Sequence, residues 1–134
     1  MKTSTELVNL LNLEQVNEHT FLGESVTIGS AIVFGGQVLA QAVNAAYRTI
    51  PENRFLHSLH SYFLEAGDLK IPISYHVAFM RDGGSFATRR VTASQNGKTI
   101  FILAASFHKK EEGFEHQTEI NTTIKQPEEL LSWD

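Results

Sequence analysis

The feature that most constrains this chain is a change of hydrophobic period at Pro51. From 37 to 50, Leu39, Ala42, Val43, Ala46 and Ile50 recur at spacings of three and four residues, and Pro51 stops the run. That spacing places them on one stripe of a helix about 20 Å long. Its small residues, Ala40, Ala42, Ala45 and Ala46, let another element pack closely against it. Beyond Pro51 the chain becomes extended, with aromatic and β-branched segments at 55–64, 71–80, 85–95 and 99–108. Gly67-Asp68, Asp82-Gly83-Gly84 and Asn96-Gly97 separate them. Asn-Gly supplies the positive φ angles of a type I′ hairpin turn, so the last two segments are predicted to be paired. One long helix followed by four strands in meander order describes an antiparallel sheet wrapped on a helix, an α+β architecture.

The flanks are read less directly. Thr3 with Glu6 fits a capping box, and Leu7, Val8, Leu10 and Leu11 predict a short helix ending near Leu13. Leu22, Val26, Ile28 and Ile32 suggest one strand and a loop leading to Gly35-Gly36. With 134 residues, 42% apolar content, 9 Gly and 3 Pro, the chain has room for a single packed core. It has no cysteine, which excludes a disulfide scaffold, a thiolate zinc site and a cysteine nucleophile, and fits a reducing compartment. No apolar run approaches the roughly 18 residues of a membrane span, and Met1-Lys2-Thr3-Ser4-Thr5-Glu6 is not a signal peptide, so a soluble cytoplasmic protein is expected, with no membrane partner.

The net charge of −4 is unevenly placed. From Glu111 onward seven acids face one base, Lys125, giving −6; the first 110 residues hold ten bases and eight acids, giving +2. The body is therefore able to receive an anionic ligand, although nothing in the chain suggests nucleic acid. The segment 117–134 has no sustained period and ends on Leu130, Leu131 and Trp133, as a linker would.

Several chemistries lack their parts. There is no Gly-x-Ser-x-Gly elbow, Walker motif or Gly-x-Gly-x-x-Gly. His57 and His60 lie three apart on a predicted strand, so one imidazole should face the helix and the other the opposite surface, and no shared metal is expected. Gly35-Gly36 before the helix is either a turn needing positive φ or a place of close approach, with helix amides open to an oxyanion. Gln37 in the first helical turn is able to bond a carbonyl or a water. Arg81, Arg89 and Arg90 lie on neighbouring strands beside a tight turn; Arg89 and Arg90 face opposite sides, so at most one of them joins Arg81 in an anion site.

Val33-Phe34-Gly35-Gly36-Gln37-Val38, then His57-Ser58-Leu59-His60-Ser61-Tyr62-Phe63-Leu64 with Gly67-Asp68, then Arg81-Asp82-Gly83 with Phe86 and Arg89-Arg90-Val91, together resemble the bacterial acyl-CoA thioesterase II family. The resemblance implies a hotdog fold over 1–116, a long sheet curled around one central helix, with 117–134 as the start of an inter-unit linker. It implies hydrolysis of fatty acyl-CoA to a free acid and CoA, without a cofactor. It also implies that this sequence is the first of two hotdog units, and that the family's catalytic Asp, Thr and Gln belong to the second. His57 is then the matched residue for a catalytic role, as a base toward water or as part of the cleft wall, and Gly36, Gln37 and Arg81 are the candidates for substrate binding. Weak or no activity is expected of this unit alone, and a homodimer or higher assembly is expected to replace the missing pairing. Two rivals remain open: a non-catalytic acyl-CoA-binding or assembly domain, and an enoyl-CoA hydratase on the same fold.

Overall fold

A computed structural model describes residues 3–132; the Trp133 of the apolar tail patch lies outside them. The helix predicted upstream of Pro51 is present as α2, Gly35–Tyr47, which begins two residues early because Gly35 and Gly36 form its first turn instead of preceding it. It buries Val38, Ala42, Ala45 and Ala46, the small stripe that lets the sheet approach. Ahead of it come α1, Ser4–Leu11, and a hairpin of β1, Glu14–Asn17, and β2, Thr20–Gly23. The capping box closes α1: the Thr3 hydroxyl accepts from the Glu6 amide and the Glu6 carboxylate accepts from the Thr3 amide, both at 3.2 Å.

After α2 come β3, Arg54–Phe63, β4, Ile73–Asp82, β5, Phe86–Gln95, and β6, Lys98–Lys109. The six strands form one antiparallel sheet in the order β1-β2-β4-β5-β6-β3. The expected meander holds from β4 to β6, where Asn96 and Gly97 take φ of 49° and 76° as the turn requires. It fails for β3, which skips β4 and pairs with β6 at the sheet's edge. The connection that carries the chain back is fixed by Gln95, buried at the end of β5. Its amide donates to the carbonyls of Asp68 (2.8 Å) and Ile71 (2.6 Å), and its oxygen accepts from the Asp68 amide.

The core lies between α2 and the inner face of the sheet, where Tyr75 and Val77 of β4, Val91 and Ala93 of β5, and Phe101, Leu103 and Phe107 of β6 are buried. Period-two alternation produces this face. A buried polar chain ties the elements together: the Tyr75 hydroxyl donates to Gln41 Oε1 at 2.7 Å, and Gln41 Nε2 donates to the carbonyls of Leu10 (2.8 Å) and Glu24 (2.9 Å). Gly23 makes room for it, since a Cβ there would fall 2.7 Å from Gln41 Oε1. Between Lys109 and residue 132 the only regular element is the single turn Pro127–Glu129. No helix among the described residues is long and apolar enough to cross a membrane.

Candidate functional site

The start of α2 leaves backbone donors unsatisfied. Its N-cap is Phe34, which has no side chain able to accept from the first amides. The amides of Gln37 and Val38 turn back onto the Phe34 carbonyl at 3.0 and 3.3 Å. Those of Gly35 and Gly36 have no hydrogen-bond partner among the described residues. Neither glycine takes a positive φ, so the turn reading of this pair is set aside and close approach is the reason for both. A Cβ on Gly35 would lie 2.9 Å from the Phe63 ring, and one on Gly36 2.4 Å from the Phe34 ring. Two amides without a hydrogen-bond partner at the positive end of a helix dipole suit a carbonyl oxygen that gains negative charge.

Gly35 lines a cleft of about 440 Å³ between the start of α2 and the end of β3, while Gly36 stands beside it, outside the lining. Val33, Val38, Phe63, Ile100 and Phe101 give it apolar walls, and Glu65 is its one carboxylate. Glu65 Oε1 is held at 2.9 Å by Lys98 Nζ. Sequence reasoning passed over Phe63 and Glu65, although Phe63 stands in the same string as His57; the ring's place over Gly35 comes from a β3–α2 contact that no local pattern reports.

The four residues singled out from the sequence do not converge. Gln37 is near Gly36, but it is buried and its amide is fully used. Oε1 accepts from the Val26 amide at 3.1 Å, and Nε2 donates to Ser25 Oγ and the Glu24 carbonyl. It pins the 24–26 loop to α2 and has no atom left for a ligand in this conformation.

His57 corrects the face assignment. The register of β3 on β6 slips between Leu56 and Ser58, a bulge that resets the alternation. Both imidazoles therefore lie on the face away from α2. His60 stands opposite the exposed Ala104, and His57 Nε2 meets Ser106 Oγ at 2.8 Å, edge-on to Phe86 and His108. His57 also lies toward the far end of α2, since the Leu56 amide beside it donates to the Tyr47 hydroxyl at 2.8 Å. Six strand residues separate it from Phe63, about 20 Å.

Arg81 is likewise at the far end of α2, exposed beside the 82–85 turn. It shares no anion site with its neighbours. Arg89 is buried and committed: Nε and Nη2 donate to Thr49 Oγ1 and O, Nη1 to the carbonyls of Arg81 and Thr88, and Nη2 to Asp82 at 2.7 Å. Its guanidinium also stacks 4.2 Å from the centre of the Phe79 ring. Arg90 points to the outer face, near His60 and Tyr62.

Comparison with known proteins adds the family. Residues 23–108 match the acyl-CoA thioesterase N-terminal domain. Acyl-CoA thioesterase 2 of Haemophilus influenzae is 49% identical over 111 residues, which are 83% of this chain and 39% of the relative. Human acyl-coenzyme A thioesterase 8 is 42% identical over 129 residues, 96% of this chain and 40% of the relative. The chain thus spans about two fifths of the curated relatives it matches. Among solved structures, the acyl-CoA thioesterase II TesB2 of Mycobacterium marinum superposes with a TM-score of 0.77 at 37% identity, over 90% of this chain and 45% of that one. The glycine-started central helix, the sheet that wraps it and these matches together make the chain a hotdog unit that belongs to the acyl-CoA thioesterase N-terminal domain family.

Proposed function

We propose that this chain is the substrate-binding half of an acyl-CoA thioesterase, which hydrolyses acyl-CoA to a free acid and CoA. The observation that carries the reading is the pair of unengaged amides at the start of α2, Gly35 lining a largely apolar cleft and Gly36 next to it. A thioester carbonyl set against them becomes more electrophilic. Attack by water gives a tetrahedral oxyanion, which the two amides and the helix dipole stabilise, and expulsion of the CoA thiolate completes the reaction. Water needs a carboxylate to take its proton. Glu65, the cleft's own, is tied to Lys98, so the base is supplied by a second unit seated on the cleft, in keeping with the length of the relatives.

The edge strand β3 supports that pairing. Phe55, Leu59, Tyr62 and Phe63 are exposed along it, an apolar edge that isolated sheets avoid. Either a following hotdog unit reached through 117–134 or a second copy of this chain covers it. His57 then acts on the outer face as part of the wall that meets the CoA moiety, with Arg81 as an outlying positive charge. The absence of cysteine fits residence in a reducing cytoplasm.

Hydrolysis of medium- and long-chain acyl-CoA by the purified 134-residue chain, followed by release of the CoA thiol, tests the division of labour. Slow or undetectable turnover is expected, together with binding of a non-hydrolysable acyl-CoA thioether. Turnover at about 1 s⁻¹ or more by the chain alone would overturn it. The ion pair that occupies Glu65 favours one second reading, a binding or assembly module with no catalytic part, and that reading stands if adding the second unit restores no turnover.

A further inference from the structure

A smaller cavity lies on the other flank of the α2 start, between α1 and α2, and has a volume of about 100 Å³. Its making is visible in α1, a helix with an apolar stripe and no fully buried residue. Leu7, Leu10 and Leu11 roof a space they do not fill, while Val26, Phe34 and Ala40 form walls and floor. The one polar side chain on it is Gln37, whose amide is consumed by the 24–26 loop. A water held there needs two to four polar partners and would find none among these side chains, whereas small apolar cavities bind apolar guests.

We infer that this slot receives the distal part of the acyl chain, an inference that rests on the acyl-CoA reading above. Gly36 belongs both to the slot lining and to the amide pair, so a thioester held at those amides lies at the slot's mouth. Ala40 is one turn further along the same side of α2, about 6 Å away, and its methyl is what keeps that end open. A cavity of 150 Å³ accommodates a six-carbon ring, so about 100 Å³ takes roughly four carbons. Beyond the first two carbons of the acyl group, the slot therefore fits a chain up to about hexanoyl. Its apolar walls select against hydroxylated or charged acyl groups, which would find no partner inside.

Calorimetry with non-hydrolysable acyl-CoA thioethers of two to ten carbons tests this without relying on turnover. Each methylene that enters the slot is expected to tighten Kd about fourfold, levelling off near six carbons. In Ala40→Leu the gain should stop about three carbons earlier, so that the loss grows with chain length. Leu7→Trp, which fills the slot from α1, should truncate it in the same way and serves if Ala40→Leu does not fold, as judged by circular dichroism. Identical chain-length profiles for the wild type and a folded filled variant would overturn the slot. So would a wild-type dimer that Ala40→Leu converts to a monomer without altering the profile, because a second copy would then be the occupant. If the acetyl thioether binds but longer chains add nothing, the slot fails and the acyl-CoA reading survives; if no thioether of any length binds at millimolar concentration, the acyl-CoA reading itself fails.

Discussion

The two ends of α2 use their polar groups in opposite ways. At the far end Arg89 is buried with all three of its nitrogens bonded, to Thr49, Arg81, Asp82 and Thr88, and with its flat face on Phe79. At the near end the amides of Gly35, which lines a cleft, and of Gly36 beside it have no partner among the described residues, under a cap residue unable to supply one. A guanidinium without water is costly unless every donor is met, so the far end is committed to holding the fold. Exposed amides at a helix start cost little while water reaches them, and remain available for a substrate. The same helix thus anchors the sheet with one end and leaves two amides unengaged at the other.

Substitutions should separate the two ends, and the largest effect belongs to the anchored one. Arg89→Ala removes the donors that satisfy the carbonyls of Thr49, Arg81 and Thr88 and leaves a cavity beneath Phe79, so a loss of about 3–5 kcal/mol in urea unfolding is expected. A loss below about 1 kcal/mol would mean that the network is not what holds this end. Gly36→Ala should behave in the reverse manner. Its Cβ displaces the half-exposed Phe34 ring while improving helix propensity, so the thermal midpoint should move by only a few degrees. Binding of an acyl-CoA thioether should weaken at least about tenfold; unchanged affinity would remove the amide pair from the site.

Between the ends, Tyr75→Phe leaves Gln41 Oε1 without its donor and should cost about 1–3 kcal/mol. Burial raises the Tyr75 phenol above its ordinary value near 10. Below pH 10 the group is protonated in both states and contributes no pH dependence. Above pH 10 only the unfolded chain releases the proton, so stability should fall by about 1.4 kcal/mol per pH unit more in the wild type than in Tyr75→Phe. Parallel curves would place the phenol in water. The smallest effect is at Glu111, whose carboxyl is lowered by hydrogen bonds from Lys109 and then Ser85. Its contribution is present above the ordinary carboxylate value of 4.5 and is lost as pH falls through the lower folded value, so the wild-type midpoint should drop slightly more steeply in acid than that of Glu111→Gln. Equal slopes would show the exposed pair to be inert.

How much of this was legible beforehand depends on the range of the interaction involved. The capping box of α1 and the Asn96-Gly97 turn rest on residues within one turn of each other and are present as read; α2 is present too, but its buried apolar stripe runs through Val38, Ala42, Ala45 and Ala46, with Leu39, Val43 and Ile50 only partly buried. Of the β1–β2 hairpin only the strand at Leu22 is legible, as β2; β1 has four residues, too few for a period to show. His57 and Arg81 stand with Gly36 in the strings that carry the family resemblance, yet they lie toward the opposite end of α2. Gln37 was rightly placed at the helix start, but only the fold shows that the 24–26 loop takes its amide.

Residues near in sequence settle α1, α2, the four long strands, the α+β class and the hairpin between β5 and β6, since local periodicity and turn stereochemistry reward only one local conformation. Tertiary structure alone decided that β3 crosses to the edge beside β6, that a bulge turns His57 outward, and that Arg89 rather than Arg90 is buried. Those outcomes turn on which distant strand offers a partner and which face α2 covers. A two-residue period names two faces but not which is inner, and only the packed sheet breaks that symmetry.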